Sequence, residues 1–354
     1  MKKIFVAMLA LAAATACSND ELVSVNQEAI GFDNAFINNS VRSVVDPSLT
    51  ASTLADFQVY GYVEGQPLFN AEDNGVTVYK NGGSLTQDQY AGQAKTDWKY
   101  EGTQYWIAGA KYNFAAVAPV TDQNWEKTTA SKDGVTLSFT NNGIQDLLYA
   151  QSEEIEGKTV GNNAVAFTFR HLLSKVKFSF KNGYNASNAT IKVYDITINN
   201  AYESANVALN ATSTTWSDWA QNDTTPLTLE FGAATADDTN TAAAYAYNTT
   251  LESYNELFLI PGAITGGYEV SFKVALLVSG TQIGDPYEHT IHTPDTFVPV
   301  AGNSYDITAE ITASNIDPEH SQEAIEFTVT KIEDWTENNT SVNIPEVNTP
   351  ATGA

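Results

Sequence analysis

The period of the apolar residues is what most limits this chain. Short stretches alternate apolar with polar side chains at 57–60, 76–79, 135–139, 165–169, 176–180, 191–198, 227–231, 270–274, 305–311 and 325–329. Successive strand residues point to opposite faces, so each stretch can bury one face and wet the other. Val, Ile, Phe and Tyr fill the apolar positions, as strands prefer. Turn-forming clusters separate the stretches, among them Asn74-Gly75, Asn81-Gly82-Gly83, Asp133-Gly134, Asn182-Gly183 and Gly266-Gly267. No segment longer than about two turns carries a helical stripe. A short helical turn is expected only at 204–209. The pattern predicts an all-β chain of antiparallel β-sandwiches. At 354 residues it exceeds what one core usually organises, so two domains are expected.

The N-terminus reads as a targeting segment. Lys2 and Lys3 precede an uncharged run at 4–16, which ends in Ala14-Thr15-Ala16. That run falls short of the roughly 20 residues of a spanning helix and has the form of a secretory signal. Cys17 follows directly and is the only cysteine of the chain. Its thiol is the candidate lipidation site, and dual acylation would anchor the exported chain to the outer membrane. With that thiol used, no disulfide framework exists, although the compartment is oxidising. Ser18-Asn19-Asp20-Glu21 resembles the acidic surface-export signal of Bacteroidales lipoproteins.

Charge excludes one class of partner. The net charge is −25, and Arg42 and Arg170 are the only arginines. A nucleic-acid binder needs basic patches to displace counterions, and none is present. Enzyme signatures are lacking as well. The chain has no Gly-x-Ser-x-Gly, phosphate loop, dinucleotide fingerprint or His-Glu-x-x-His. No cofactor, metal or catalytic residue is therefore assigned. His289 and His292 stand three apart in a predicted strand and face opposite ways, a poor metal pair. His171 sits at a strand junction, where a hydrogen-bonded structural role is expected. Asp237-Asp238-Thr239-Asn240 lacks the bidentate Glu of a calcium loop. Trp98, Trp106 and Trp335 read as core. Trp216 and Trp219, in a polar stretch, read either as cover for a core edge or as an exposed aromatic surface for a glycan or host protein. Asp223-Thr224-Thr225 resembles a bacterial O-glycosylation signal.

Several segments in order along the chain carry a family likeness. These are 29–32 (AIGF) followed by Val41-Arg42-Ser43, then 97–100 (DWKY), Tyr105-Trp106 and 112–119 (YNFAAVAP). Next come 146–150 (DLLYA), 167–176 (FTFRHLLSKV), 257–261 (LFLIP), 302–305 (GNSY) and 329–335 (VTKIEDW). Together they resemble the fimbrillin family of Bacteroidales type V pili, lipoprotein precursors of pilus subunits. The resemblance implies two tandem transthyretin-like β-sandwich domains. It divides the chain into a signal peptide (1–16), a pro-segment with a removable first strand (17–42), sandwiches at 43–171 and 172–335, and a tail (336–354).

The same resemblance implies a maturation route. A protease cuts between Arg42 and Ser43, the strand bearing Ile30 and Phe32 leaves, and a strand from a neighbouring subunit fills the groove. The polar context Asn38-Asn39-Ser40 makes Arg42 a reachable site, whereas Arg170, between two predicted strands, is expected to be protected. In the tail, Val342, Ile344 and Val347 are the candidate donor-strand residues, but Pro345 breaks their alternation and removes a backbone donor. The expected function is a structural subunit of a surface pilus, stalk or tip, serving adhesion in a homo- or hetero-polymer. The alternative is a permanently anchored surface lipoprotein, either a pilus anchor or a binding module for glycan or host protein.

Overall fold

A computed structural model describes residues 27–37, 53–69, 75–93, 95–221, 227–235, 241–316 and 325–334. Among these residues the protein is nearly all β, and its α-helix is confined to Ala313–Ile316. Each stretch that alternates in sequence lies within or overlaps a strand.

The first sheet runs in the order Phe32–Ile37, Val165–His171, Leu148–Gln151, Lys111–Ala118, Asp56–Val63, Gly75–Lys80, Trp98–Tyr100. The short strands Ile155–Glu156 and Gln66–Pro67 pair at its rim. The sheet curls so far that Phe32, on one outermost strand, meets Tyr100, on the other, with ring centroids 5.4 Å apart. Phe57, Val59, Trp98, Trp106, Tyr112, Phe114, Phe167 and Phe169 fill the enclosed core. Lys111–Ala118 shows why its stretch does not alternate. Both of its faces are buried from Ala115 onward, because the outer face packs on a second layer.

That layer is a four-stranded sheet in the order Thr214–Ala220, Ser204–Leu209, Gly134–Thr140, Trp125–Ser131. It draws strands from both halves of the sequence. Ser204–Leu209 pairs antiparallel with Gly134–Thr140 in unbroken register from Ser204↔Thr140 to Leu209↔Val135. The helical turn expected at 204–209 is thus a strand. Ala205, Val207 and Leu209 are buried at alternate positions, and burial on a sheet outweighs the helix propensity of a short Ala-containing segment. Gly134 makes the close pairing feasible, since a Cβ there would lie 2.0 Å from the Leu209 carbonyl oxygen.

The second half folds as a β-sandwich. One sheet runs Ala234–Thr235, Thr250–Ser253, Ser174–Asn182, Asn303–Ile311, Phe327–Asp334. The other runs Leu227–Gly232, Ala189–Ala201, Glu269–Val278, Thr281–Gln282. Leu257–Leu259, Tyr245–Ala246 and Tyr287–His292 pair beside these orders. Phe178, Phe180, Ile191, Phe231, Phe272 and Ile307 lie in the core between the two sheets. Among the described residues the ladders are antiparallel with two exceptions, one per half. Phe32–Ile37 runs parallel to Val165–His171, and Ser174–Asn182 runs parallel to Asn303–Ile311.

Polar contacts gather where the chain crosses between the halves, with a buried pair inside each half and Arg170 reaching across. His171 Nδ1 stands 2.8 Å from Asp146 Oδ2, so His171 has the hydrogen-bonded structural place expected of it. Lys175 Nζ and Glu256 Oε2 are 3.0 Å apart, with both side chains about 4% exposed. Arg170 lies over the Tyr149 ring and donates to the carbonyls of Asn210, Ala211 and Ser213, so it is engaged rather than free. An uncompensated buried charge is far more harmful than a replaced pair. Lys175→Met alone is expected to lower stability by roughly 3–5 kcal/mol in urea unfolding, and Lys175→Met combined with Glu256→Leu to recover most of that loss. Equal losses in the single and double variants would show that the pair itself matters little.

Candidate functional site

The N-terminal segment 27–37 is the candidate site, because one short piece of chain pairs with a loop on one side and with a sheet edge on the other. Its first part zips to the loop before Lys111–Ala118. Trp106 N donates to Glu28 O at 3.0 Å, Ile30 N donates to Gln104 O at 2.8 Å, and Ala29 bridges Tyr105 in antiparallel sense. Its second part zips to the opposite edge. Val165 N donates to Gly31 O at 2.8 Å, and the parallel ladder continues from Phe32↔Val165 to Phe36↔Thr168 and Ile37↔Phe169. The partner changes at Gly31, so the segment closes the seam of the curled sheet.

Alternation sets what points inward. Ile30 and Phe32 are both 0% exposed. The Phe32 ring meets Tyr100 and Phe114 edge-on and stacks on Phe167 at 5.9 Å. Tyr100 adds a polar hold by donating its hydroxyl to Ile30 O at 2.8 Å while accepting from Gln104 N. Burial pushes the Tyr100 phenol up to about 12, so it stays a donor at any physiological pH. At the outer end, the Glu28 carboxylate accepts from Gly161 N at 2.8 Å and from Asn162 N at 2.6 Å, with Asn162 Nδ2 at 3.0 Å. The backbone donors of Gly161 and Asn162 hold this carboxyl below the usual range. Sequence reasoning missed Glu28, Tyr100, Gly161 and Asn162. Their association depends on contacts 70 or more residues apart in sequence, and no local pattern announces those.

The other residues singled out from sequence fall as follows. Cys17, Arg42, Ser43, Val342, Ile344 and Val347 lie outside the described residues, as do Trp335, Asp223-Thr224-Thr225 and Asp237-Asp238-Thr239-Asn240. Trp98 and Trp106 are core. Trp216 and Trp219 belong to the strand Thr214–Ala220 rather than to a loop. Trp216 is 8% exposed and packs edge-on against Phe139, so the two do not form an exposed aromatic surface. Only Trp219 is open, at 43%, and its indole N–H is held by Pro261 O. The edge-strand position of this stretch, with a bulge near Asp218, explains why its polar sequence looked like loop. His289 is buried and stacks on Phe272, whereas His292 is exposed beside Glu269. Among the described residues no group of three or more His, Cys, Asp or Glu is placed to hold a metal, and no helix is long and apolar enough to cross a membrane.

Comparison with known proteins gives this architecture a place. The fimbrillin-like family profile matches residues 53–335, well over half of the sequence. The chain belongs to the fimbrillin-like family. The matched region begins after the seam segment, so the geometry at 27–37 is an observation on this fimbrillin-like chain itself. No protein of curated function matches it significantly. Among solved structures, a fimbrial protein from Bacteroides vulgatus superposes with a TM-score of 0.56 at 18% identity, covering 87% of this chain and 99% of its own. A candidate cell-adhesion protein from Bacteroides uniformis follows at TM-score 0.43 and 16% identity, covering 88% and 99%. A fimbrial assembly protein from Parabacteroides distasonis gives 0.36 at 13%, covering 86% and 99%. The first shares the fold, and the other two superpose loosely. Family membership supports a pilus or adhesion protein at the cell surface or outside the cell, a class without expected catalysis.

Two measurements test this geometry. Phe32→Ala is expected to cost roughly 3–5 kcal/mol, as large aromatic truncations in cores do, and urea unfolding reads it. A loss under about 1 kcal/mol would mean that the seam does not depend on this segment. Burial also lowers the His289 imidazole from 6.5. Below about pH 6.5 the unfolded chain takes up a proton that the folded chain refuses, so stability falls as the pH falls. The difference in stability between the wild type and His289→Phe should therefore shrink or reverse from pH 7.5 to pH 5.5. A pH-independent difference would contradict the buried, neutral assignment.

Proposed function

We propose that this fimbrillin-like chain is a structural pilus subunit, stalk or tip, that assembles by strand exchange after proteolysis. In this reading it is exported as a lipoprotein precursor and acylated at Cys17. It is then held at the outer membrane until a protease cuts between Arg42 and Ser43. The cut frees the lipid and the seam segment together, because both lie on the N-terminal side of Arg42. One observation carries the reading: the segment that supplies the outermost strand Phe32–Ile37 also supplies Ile30 and Phe32 to the core. Burial of Ile30 and Phe32 contributes on the order of 3–6 kcal/mol. Their departure would expose that apolar surface, the edge strand Val165–His171 and the unpaired backbone groups of the 104–106 loop at once. An extended strand from a second subunit meets both needs through main-chain hydrogen bonds and alternate side-chain pockets. Such a contact joins two different surfaces and so builds an open polymer, whether of one chain or of several pilus subunits. Val342, Ile344 and Val347 remain the donor candidates within this chain.

The test uses the chain lacking its signal and lipid, treated with a limiting amount of an Arg-specific protease. The expected fragment mass corresponds to a single cut after Arg42, since Arg170 is packed against the 210–213 turn. Native size should then rise in steps as oligomers form. The Arg42→Gln variant should stay uncut and monomeric. An Arg42 bond that resists the protease would overturn maturation and leave the anchored surface lipoprotein as the better reading. A clean cut without oligomers would restrict the chain to a tip position or to a hetero-polymer.

A further inference from the structure

The loop that receives Glu28 holds its shape through contacts of its own. Asn162 closes it in both directions, since Lys158 N donates to Asn162 Oδ1 at 2.8 Å and Asn162 Nδ2 donates to Lys158 O at 2.8 Å. Its base is pinned to the preceding turn by Gly157 N to Ala110 O and Gly109 N to Gly157 O, both 2.8 Å. Gly161 has φ +78°, a conformation that glycine adopts without strain. That residue turns two successive N–H groups, its own and that of Asn162, toward one point. Such paired backbone donors form a concave anion site without any cationic side chain. A third donor, the Asn162 amide, joins them, and all three end on the one carboxylate.

The position of that carboxylate along the strand gives the site a meaning. Glu28 stands two residues before Ile30 and four before Phe32. A slip of one residue would pull the acid from the loop and turn both apolar side chains away from the core. We propose that the loop 157–162 is a carboxylate-recognition site that sets the register of an extended strand entering the seam. Its ligand is a strand with an acidic residue followed by apolar residues at the second and fourth places. In this structure Glu28 fills it. On the maturation reading above, it becomes free when the segment leaves and then takes an incoming strand of that pattern. The donor candidates Val342 and Ile344 have Thr340 at the matching place, so the strand that fits comes from another pilus subunit.

The proposal is tested in two arms. In the uncut chain, Glu28→Gln should speed hydrogen exchange at the Gly161 and Asn162 amides about fivefold or more, while the Gly157 amide, held by Ala110, stays unchanged. Unchanged exchange at Gly161 and Asn162 would overturn the site. In the cut chain, a labelled peptide of residues 27–37 should displace the resident segment. The same peptide carrying Glu28→Gln should bind about fivefold more weakly. An Asn162→Ala protein should narrow the gap between the two peptides. Equal binding of both peptides to the unaltered protein would overturn recognition of the carboxylate. If the protease does not cut at Arg42, maturation fails while the exchange arm still decides the site.

Discussion

The first half of this protein depends on one short segment that pairs on both sides of a curled sheet. Without this segment the curled sheet would have an unpaired edge strand at one side of the seam, a loop with unpaired backbone groups at the other and an open core between them. Residues 28–30 pair with 104–106, and residues 31–37 pair with 165–169, so a single segment satisfies both sides. Ile30 and Phe32 then complete an aromatic core that includes Tyr100, Phe114 and Phe167. Backbone pairing and side-chain burial are thus supplied by the same residues. Loss of the segment removes both together, which is the condition for exchange by another strand rather than for gradual fraying.

Exchange also requires that the rest survive the loss, and the layering provides for this. The sheet that Phe32 helps to close has a second buried face, where Tyr60, Val117 and Tyr149 pack with Leu137, Phe139 and Val207. That layer is separate from the seam core and includes strands from both halves of the sequence. The Asp146–His171 and Lys175–Glu256 pairs stand at the crossing, and Arg170 grips the 210–213 turn. Arg170 bonds across the halves, so moving one against the other would break its hydrogen bonds to Asn210, Ala211 and Ser213. Ile30 and Phe32 therefore pack in a core separate from the one that joins the halves.

Much of this was legible in the sequence where strands bury one face only. Stretches such as 135–139 and 165–169 announce themselves by alternation, and so does the all-β class. The strand Lys111–Ala118 did not, because burial on both faces replaces alternation with a continuous apolar run. Thr214–Ala220 did not because an edge strand with a bulge keeps polar residues and breaks the period. Of the site, Ile30 and Phe32 were legible as apolar residues that need burial. The carboxylate loop was not, since its donors are backbone groups at 161 and 162, and backbone donors leave no signature in side-chain types.

This backbone origin matters in so acidic a protein. A net charge of −25 would make a basic side chain at the seam a general attractor for carboxylates of the same surface and of neighbouring subunits. Paired N–H groups act over a much shorter range. They reward an acid that arrives on a strand already lying in the groove and exert little pull on one that does not. Apolar pockets alone accept many alternating strands, and at two registers that differ by two residues. A carboxylate site at one end of the seam removes that degeneracy, because a shift of two residues fills the pockets yet leaves three donors without their acid. On the proposed exchange, depth of burial supplies the strength of the insertion, and the short polar loop supplies its register.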